Sequence, residues 1–148
     1  MNGKLFPTHF LLIAIVLIPA LHFLWPGIVI FPAPWNFLGL LPLAGGIFIN
    51  LAADGAFHKA GTTVKPFSES SALVTTGMFR ISRNPMYLGF VLILTAIAIL
   101  LGSATPWIVV PLFALLIDRL FIAAEERMLE ARFGPAWKEY KAGVRRWI

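Results

Sequence analysis

The stretch Gly77-Met78-Phe79-Arg80-Ile81-Ser82-Arg83-Asn84-Pro85-Met86-Tyr87-Leu88-Gly89 decides how this chain is built. It passes from a loop carrying two arginines, through an Asn-Pro step, into a long apolar run. Polar chemistry therefore stands where a chain enters a membrane. Proline is favoured in the first turn of a helix, where its missing N–H would be unpaired anyway, and an Asn before it can cap that turn. This gives Asn84 and Pro85 a structural role but leaves Arg80, Arg83 and Tyr87 unexplained. A helix N-terminus flanked by cations is a ready site for a carboxylate or phosphate. The matching cluster closes the last apolar run, as Asp118-Arg119 and then Glu125-Glu126-Arg127. Two charged clusters at one membrane depth predict a single polar pocket.

Outward from that stretch, the composition sets the solvent. The 148 residues are 59% hydrophobic and 13% charged, with a mean hydropathy of +0.84, too apolar for a soluble domain of this size. Four apolar segments, residues 10–31, 35–53, 85–103 and 106–124, each approach the roughly 20 residues a membrane-crossing helix needs. The first follows Lys4 but is longer than a signal-peptide core and lacks a small-x-small cleavage site, so it reads as a retained span. Lys and Arg fall at Lys4, between the second and third segments, and at or after the end of the fourth. The connections Pro32-Ala33-Pro34 and Gly102-Ser103-Ala104-Thr105 contain none. This positive-inside asymmetry predicts an all-α integral membrane protein of four transmembrane helices in two hairpins, with both termini and the middle loop cytoplasmic.

The pI near 10.1 is then a record of topology and of contact with anionic membrane lipid, and nucleic acid is not the expected partner. The absence of cysteine excludes disulfides, thiolate metal ligands and a cysteine nucleophile, while His9, His22 and His58 lack metal-ligand spacing. No metal is expected. The chain reads as one membrane-embedded domain over residues 1–148, with residues 54–84 as irregular backbone at the interface. The fourth helix should run past the membrane to Phe133, where Gly134 suits a C-terminal cap and Pro135 a new helix start. The tail Ala136-Trp137-Lys138-Glu139-Tyr140-Lys141 then forms a short cytoplasmic amphipathic helix.

Asp118 and Arg119 precede the end of the apolar run, and a charge at bilayer depth costs on the order of 2.5 to 3.5 kcal/mol on insertion scales. Something must compensate it. On a regular helix Asp118, Ile122 and Glu125 share one face and Arg119 and Glu126 another. Arg119 can be read as an ion-pair partner, as a cation snorkelling to the membrane edge, or as part of a site. Glu125 and Glu126 can be a solvated helix end, yet acids there gain nothing from the helix dipole unless they face a cation.

The run Leu73-Val74-Thr75-Thr76-Gly77 through Arg83-Asn84-Pro85-Met86-Tyr87-Leu88-Gly89 is followed by Glu125-Glu126, Leu129, Phe133-Gly134, Trp137, Tyr140, Val144 and Arg146. This ordered pair of motifs resembles the isoprenylcysteine carboxyl methyltransferase and phospholipid methyltransferase family of membrane enzymes. The resemblance covers about the second half of the chain and implies S-adenosylmethionine as cofactor, held at the cytoplasmic face by the half spanning residues 64–148. It further implies a lipophilic or lipid-like acceptor entering from the bilayer. Carried over by position, the cofactor loop falls on Ser71, Ala72, Leu73, Val74, Gly77 and Phe79. The family's Arg-His-Pro-x-Tyr falls on Arg83, Asn84, Pro85, Met86 and Tyr87, and its amino-group ligand on Glu125.

Two departures narrow this expectation. Asn84 replaces the family histidine, so it can hydrogen-bond but cannot serve as a base. Phe121 stands where the prenylcysteine enzymes carry a carboxylate-gripping arginine, so a prenylcysteine substrate is not expected and a more apolar pocket wall is. An amine, phenol or thiol acceptor would require a base, for which Asp118, Glu126 and Tyr140 are the candidates, with Arg119 beside them. A sterol-type NADPH reductase and a non-catalytic membrane bundle are the competing readings. The adjacent glutamates before Phe133-Gly134 and the lack of a larger basic cluster for a 2′-phosphate favour methyl transfer.

Overall fold

The computed structural model describes residues 6–61 and 72–148, and among these residues the protein is helical with no strand. Helix α1 (Pro7–Leu24) is followed by a 3-10 turn (Trp35–Gly39) that runs into α2 (Leu40–Lys59). A second 3-10 turn (Gly77–Arg80) precedes α3 (Pro85–Leu101). The last long helix begins as a 3-10 turn (Thr105–Ile108) and continues through α4 (Val109–Ile117), a π-helical turn (Asp118–Ile122) and α5 (Ala123–Phe133). Gly134, at φ +49°, then redirects the chain into α6 (Pro135–Gly143), with proline in its first turn as the sequence leads one to expect.

Three of these helices, Pro7–Leu24, Trp35–Lys59 and Thr105–Phe133, are long and apolar enough to cross a membrane, and α3 is a shorter apolar helix. Leu12, Val16, Phe48 and Leu51 point outward at 61–70% exposure, a surface that only an apolar solvent would cover so widely. The protein is therefore a membrane protein.

The first apolar segment ends earlier than hydrophobicity implies. Pro26 lacks an amide donor and pushes Trp25 out of helical geometry, and Gly27 takes φ +67°, so α1 stops at Leu24 and residues 25–34 form an irregular connector. That connector satisfies its backbone on the α3–α4 connection: Ile30 and Phe31 donate to the Gly102 carbonyl at 2.7 and 3.0 Å, and Ala104 donates to Ile28 at 2.9 Å. A His22 Nδ1 to Ser103 Oγ hydrogen bond of 2.8 Å closes the same end. The two hairpins are thus locked at the end of the bundle far from the acids.

Helices α2 and α3 approach closely because glycine faces glycine. A Cβ on Gly46 would lie 2.7 Å from the Gly89 carbonyl, and one on Gly89 would lie 2.8 Å from the Gly46 carbonyl. Gly89, the last residue of the deciding stretch, therefore sets helix spacing. The main core joins α1, α3 and the long last helix through Ile18, Leu94, Ile117 and Ile122, all fully buried. A smaller cluster of Ala53, Val74 and Phe79, with Met86 and Tyr140 packed on it, ties α2 to the loop before α3 and to α6.

Candidate functional site

The site is assembled where the Gly77–Arg80 turn, the start of α3, the π turn, α5 and the C-terminal tail converge. Arg83 enters first. Its side chain is 8% exposed, and Nη2 donates to Glu126 Oε1 at 2.8 Å while Nη1 donates to the carbonyls of Lys141 and Val144 at 3.0 and 2.8 Å. Its backbone N–H donates to the Arg145 carbonyl at 3.0 Å. The guanidinium also lies 5.8 Å from the ring of Trp137, which is buried. One cation thereby fastens the N-terminus of α3 to both α5 and the tail.

Arg146 completes the arrangement from the other side. Nη2 donates to Glu126 Oε2 at 2.5 Å and Nε to Glu126 Oε1 at 3.2 Å, while Nη1 spans the two Asp118 oxygens at 3.3 and 3.2 Å. Trp147 Nε1 adds a bond to Asp118 Oδ1 at 3.2 Å. The hydrogen bond to Glu126 raises the Arg146 pKa above its already high ordinary value, so the guanidinium stays charged. Two arginines and two carboxylates balance, and every oxygen of both acids is engaged.

This pairing differs from the regular-helix expectation, which grouped Asp118 with Glu125 and Arg119 with Glu126. The π turn is the reason. Two α-helical turns take about seven residues, and an i→i+5 turn holds one more, so residues eight apart come into line across Asp118–Ile122. Asp118 and Glu126 have that separation and both meet Arg146. Arg119 is exposed on the outer flank and does not join the acids.

Asn84 also departs from its expected role. It occupies the N-cap position of α3, but its side chain donates to the Arg146 carbonyl at 3.0 Å instead of capping the helix. Ser82, 1% exposed, donates to the same carbonyl at 3.2 Å and accepts from the Asn84 N–H at 3.0 Å. Pro85 is the buried first residue of α3. Sequence reasoning singled out Arg146 only as the end of a motif and missed Ser82 and Trp147. The signal for Arg146 was the pair of acids, Asp118 and Glu126, near the end of the apolar run, which called for a second cation.

Glu125 stands apart. It is half-buried, and its described polar contact is the Tyr87 hydroxyl, which donates to Oε1 at 2.8 Å. Among the described residues no cation faces it and Oε2 has no partner, so this carboxylate keeps acceptor capacity for a ligand. Tyr140 donates to the Phe79 carbonyl at 2.6 Å, and burial pushes its pKa up to about 12. Its hydroxyl therefore stays protonated at neutral pH. Phe121 is 4% exposed and packs edge-on against Phe10 at 5.6 Å, so it belongs to the core between α1 and the last helix.

Of the loop residues, Val74 and Phe79 are buried in the smaller cluster with Met86 against it, Ala72 and Leu73 are half-buried, and Ser71 lies outside the described residues. Gly77, at φ +61°, lines an open cleft with Thr76 and with Ala52, Gly55, Ala56 and Lys59 of α2. His58 is exposed at the end of α2 and pairs with Asp54 at 3.3 Å.

Adjacent residues of α5 thus supply a glutamate with an oxygen that no described residue engages and an acid held in a charge-balanced clasp, and a small-residue cleft opens between α2 and the Gly77 turn. Comparison with known proteins gives that arrangement its class. The family model for phospholipid methyltransferase matches residues 35–136, and the chain belongs to that family, one of membrane methyltransferases. An uncharacterized protein of Haemophilus influenzae is 44% identical over 63 residues, 43% of this chain and the whole of that protein.

Proposed function

We propose that the protein transfers a methyl group from S-adenosylmethionine to a small lipophilic or lipid-like acceptor at the cytoplasmic membrane face. The observation that carries this reading is the Glu125 carboxylate, oriented by Tyr87 and facing no cation among the described residues. The residues present fit the cofactor's charged end. Glu125 would accept from its ammonium group, the Gly77 cleft offers room without Cβ obstruction, and the Val74–Phe79 loop would supply backbone and apolar contacts. The cofactor, when bound, supplies an electrophilic methyl on a sulfonium. The chain's own contribution is to bind, to hold Glu125 in one rotamer through Tyr87, and to exclude water by closing the tail over Arg83.

Within this reading Asp118 and Glu126 hold the tail, since their lone pairs are spent on Arg146, Arg83 and Trp147. Tyr140, with its proton on the Phe79 carbonyl, braces α6 in the same way. An acceptor that arrives as an anion would need no base. The core position of Phe121 argues against a prenylcysteine carboxylate, because a guanidinium there would displace packing. The family match supports methyl transfer over a nicotinamide-dependent reductase.

The direct test is retention of purified protein on immobilised S-adenosylhomocysteine. Binding with elution by free S-adenosylmethionine is expected, and passage through the resin overturns the proposal. The topology is proposed as four spans with both termini cytoplasmic. Reporter fusions should give an internal signal after Ile148 and an external one at Ala104, and the reverse pattern would move the site to the other face.

A further inference from the structure

The π turn that brings Asp118 and Glu126 together on Arg146 acts equally on the residues one step further along. Arg119 and Arg127 have the same eight-residue separation across the same turn, so they too share a flank of the Thr105–Phe133 helix. Both are exposed, and neither bonds or pairs with any described residue. Seven and four residues before Arg119 on the same helix lie Leu112 and Leu115, exposed at 49% and 54%, and Leu120, exposed at 50%, lies between the two arginines. A guanidinium bordering an apolar flank of a membrane helix calls for an anion, and the nearest acids in sequence, Asp118 and Glu126, are committed to Arg146.

We propose that Arg119 and Arg127 form a binding site for the phosphate of one anionic phospholipid of the surrounding leaflet, whose acyl chains lie on the exposed leucines. The two Cα atoms are about 12 Å apart along the helix. Arginine stems are long enough for one guanidinium to reach toward the interface and the other to reach back, so both converge on one headgroup. Arginine matches phosphate with paired N–H donors, which lysine cannot reproduce. Two uncompensated cations select an anionic headgroup such as phosphatidylglycerol over phosphatidylcholine, whose own ammonium already offsets its phosphate. The site is separate from the methyl-transfer site, because Arg127 is two residues beyond Glu125 and residues so spaced do not face each other on a helix. The lipid is held here and not methylated, and the proposal stands whether or not the cofactor reading does.

Native mass spectrometry of the full chain, extracted from vesicles of equal parts phosphatidylglycerol and phosphatidylcholine, tests this. The wild type is expected to retain one phosphatidylglycerol in preference to phosphatidylcholine. The Arg119→Gln/Arg127→Gln double variant should retain it about twenty-fivefold less, the product of two charges each worth roughly fivefold at a membrane surface. Arg145→Gln, which removes an exposed cation of the tail, should retain it as the wild type does. Equal retention by wild type and double variant, or an equal loss in Arg145→Gln, overturns the proposal, as does wild-type protein that holds both lipids alike. Thermal midpoints in lipid-free detergent are expected to match. Should the double variant unfold there, Arg127→Gln alone, beyond the π turn, carries the test with a loss of about fivefold.

Discussion

The clasp around Glu126 and the face around Glu125 are built from adjacent residues of α5, and they differ in how far their polar groups are satisfied. Glu126 is 7% exposed in its side chain and accepts from two arginines, which a second acid and two tail carbonyls help to hold. Among the described residues Glu125 meets one tyrosine hydroxyl. A saturated network has nothing left to offer a ligand, and breaking it leaves buried charges without partners. An acid with an open oxygen contributes less to the fold and keeps its capacity for chemistry. The lesson is that neighbouring carboxylates in a membrane protein are told apart by counting their partners.

That contrast can be broken most severely at the core behind the clasp. Phe121→Arg, within the π turn, should cost more than about 4 kcal/mol and prevent accumulation of folded protein, since the new cation would be buried among apolar side chains. Phe121→Leu should fold. Detergent-extracted yield and thermal midpoint decide between these outcomes.

Glu126→Gln comes next. It leaves Arg83 and Arg146 without their shared anion, and removing one member of a buried pair costs roughly 3 to 5 kcal/mol. Unfolding followed by tryptophan emission, with Trp137 buried and Trp147 on Asp118, should report the loss directly. A midpoint unchanged from wild type would mean that the clasp is not what holds the tail.

Tyr87→Phe sharpens the contrast from the other side. It deletes a single hydroxyl from Glu125, so stability should fall by about 1 kcal/mol and cofactor affinity by a similar amount. Smaller still is Glu130→Gln. Glu130 lies 3.9 Å from Lys138 and Lys141 on an exposed flank, and such pairs are worth about 0 to 1 kcal/mol. Alkaline titration offers a further check on the brace. Tyr140 has a folded-state pKa of about 12 against an ordinary 10.0, so its contribution is complete below pH 10 and is lost as pH rises through 12. Tyr140→Phe should flatten that part of the stability profile.

Much of this was legible in the sequence. The apolar segments, the Gly134-Pro135 boundary and the meeting of the Arg83 and Glu125-Glu126 clusters follow from hydrophobicity, turn chemistry and the cost of unpaired charge. The end of α1 was not, because apolar residues continue through Phe31 although Pro26 and Gly27 have already broken the helix. The π turn was hidden for a different reason. No local preference of Asp118–Ile122 demands it, and its evident contacts are with Arg146 and Trp147, 28 and 29 residues further on. A face assignment based on uniform helical period therefore paired the wrong acids.

The central claim is that Glu125, and not Glu126, is the acid left free to hold the cofactor. Calorimetric titration of S-adenosylmethionine into wild type and Glu125→Gln tests it most directly, with thermal midpoints measured on the same samples. Glu125→Gln is expected to keep its midpoint and to lose roughly 1.5 to 3 kcal/mol of binding, the usual worth of a hydrogen bond to a charged group. Equal affinity in the two proteins would contradict the claim and leave Glu125 as a helix-end acid with a tyrosine beside it.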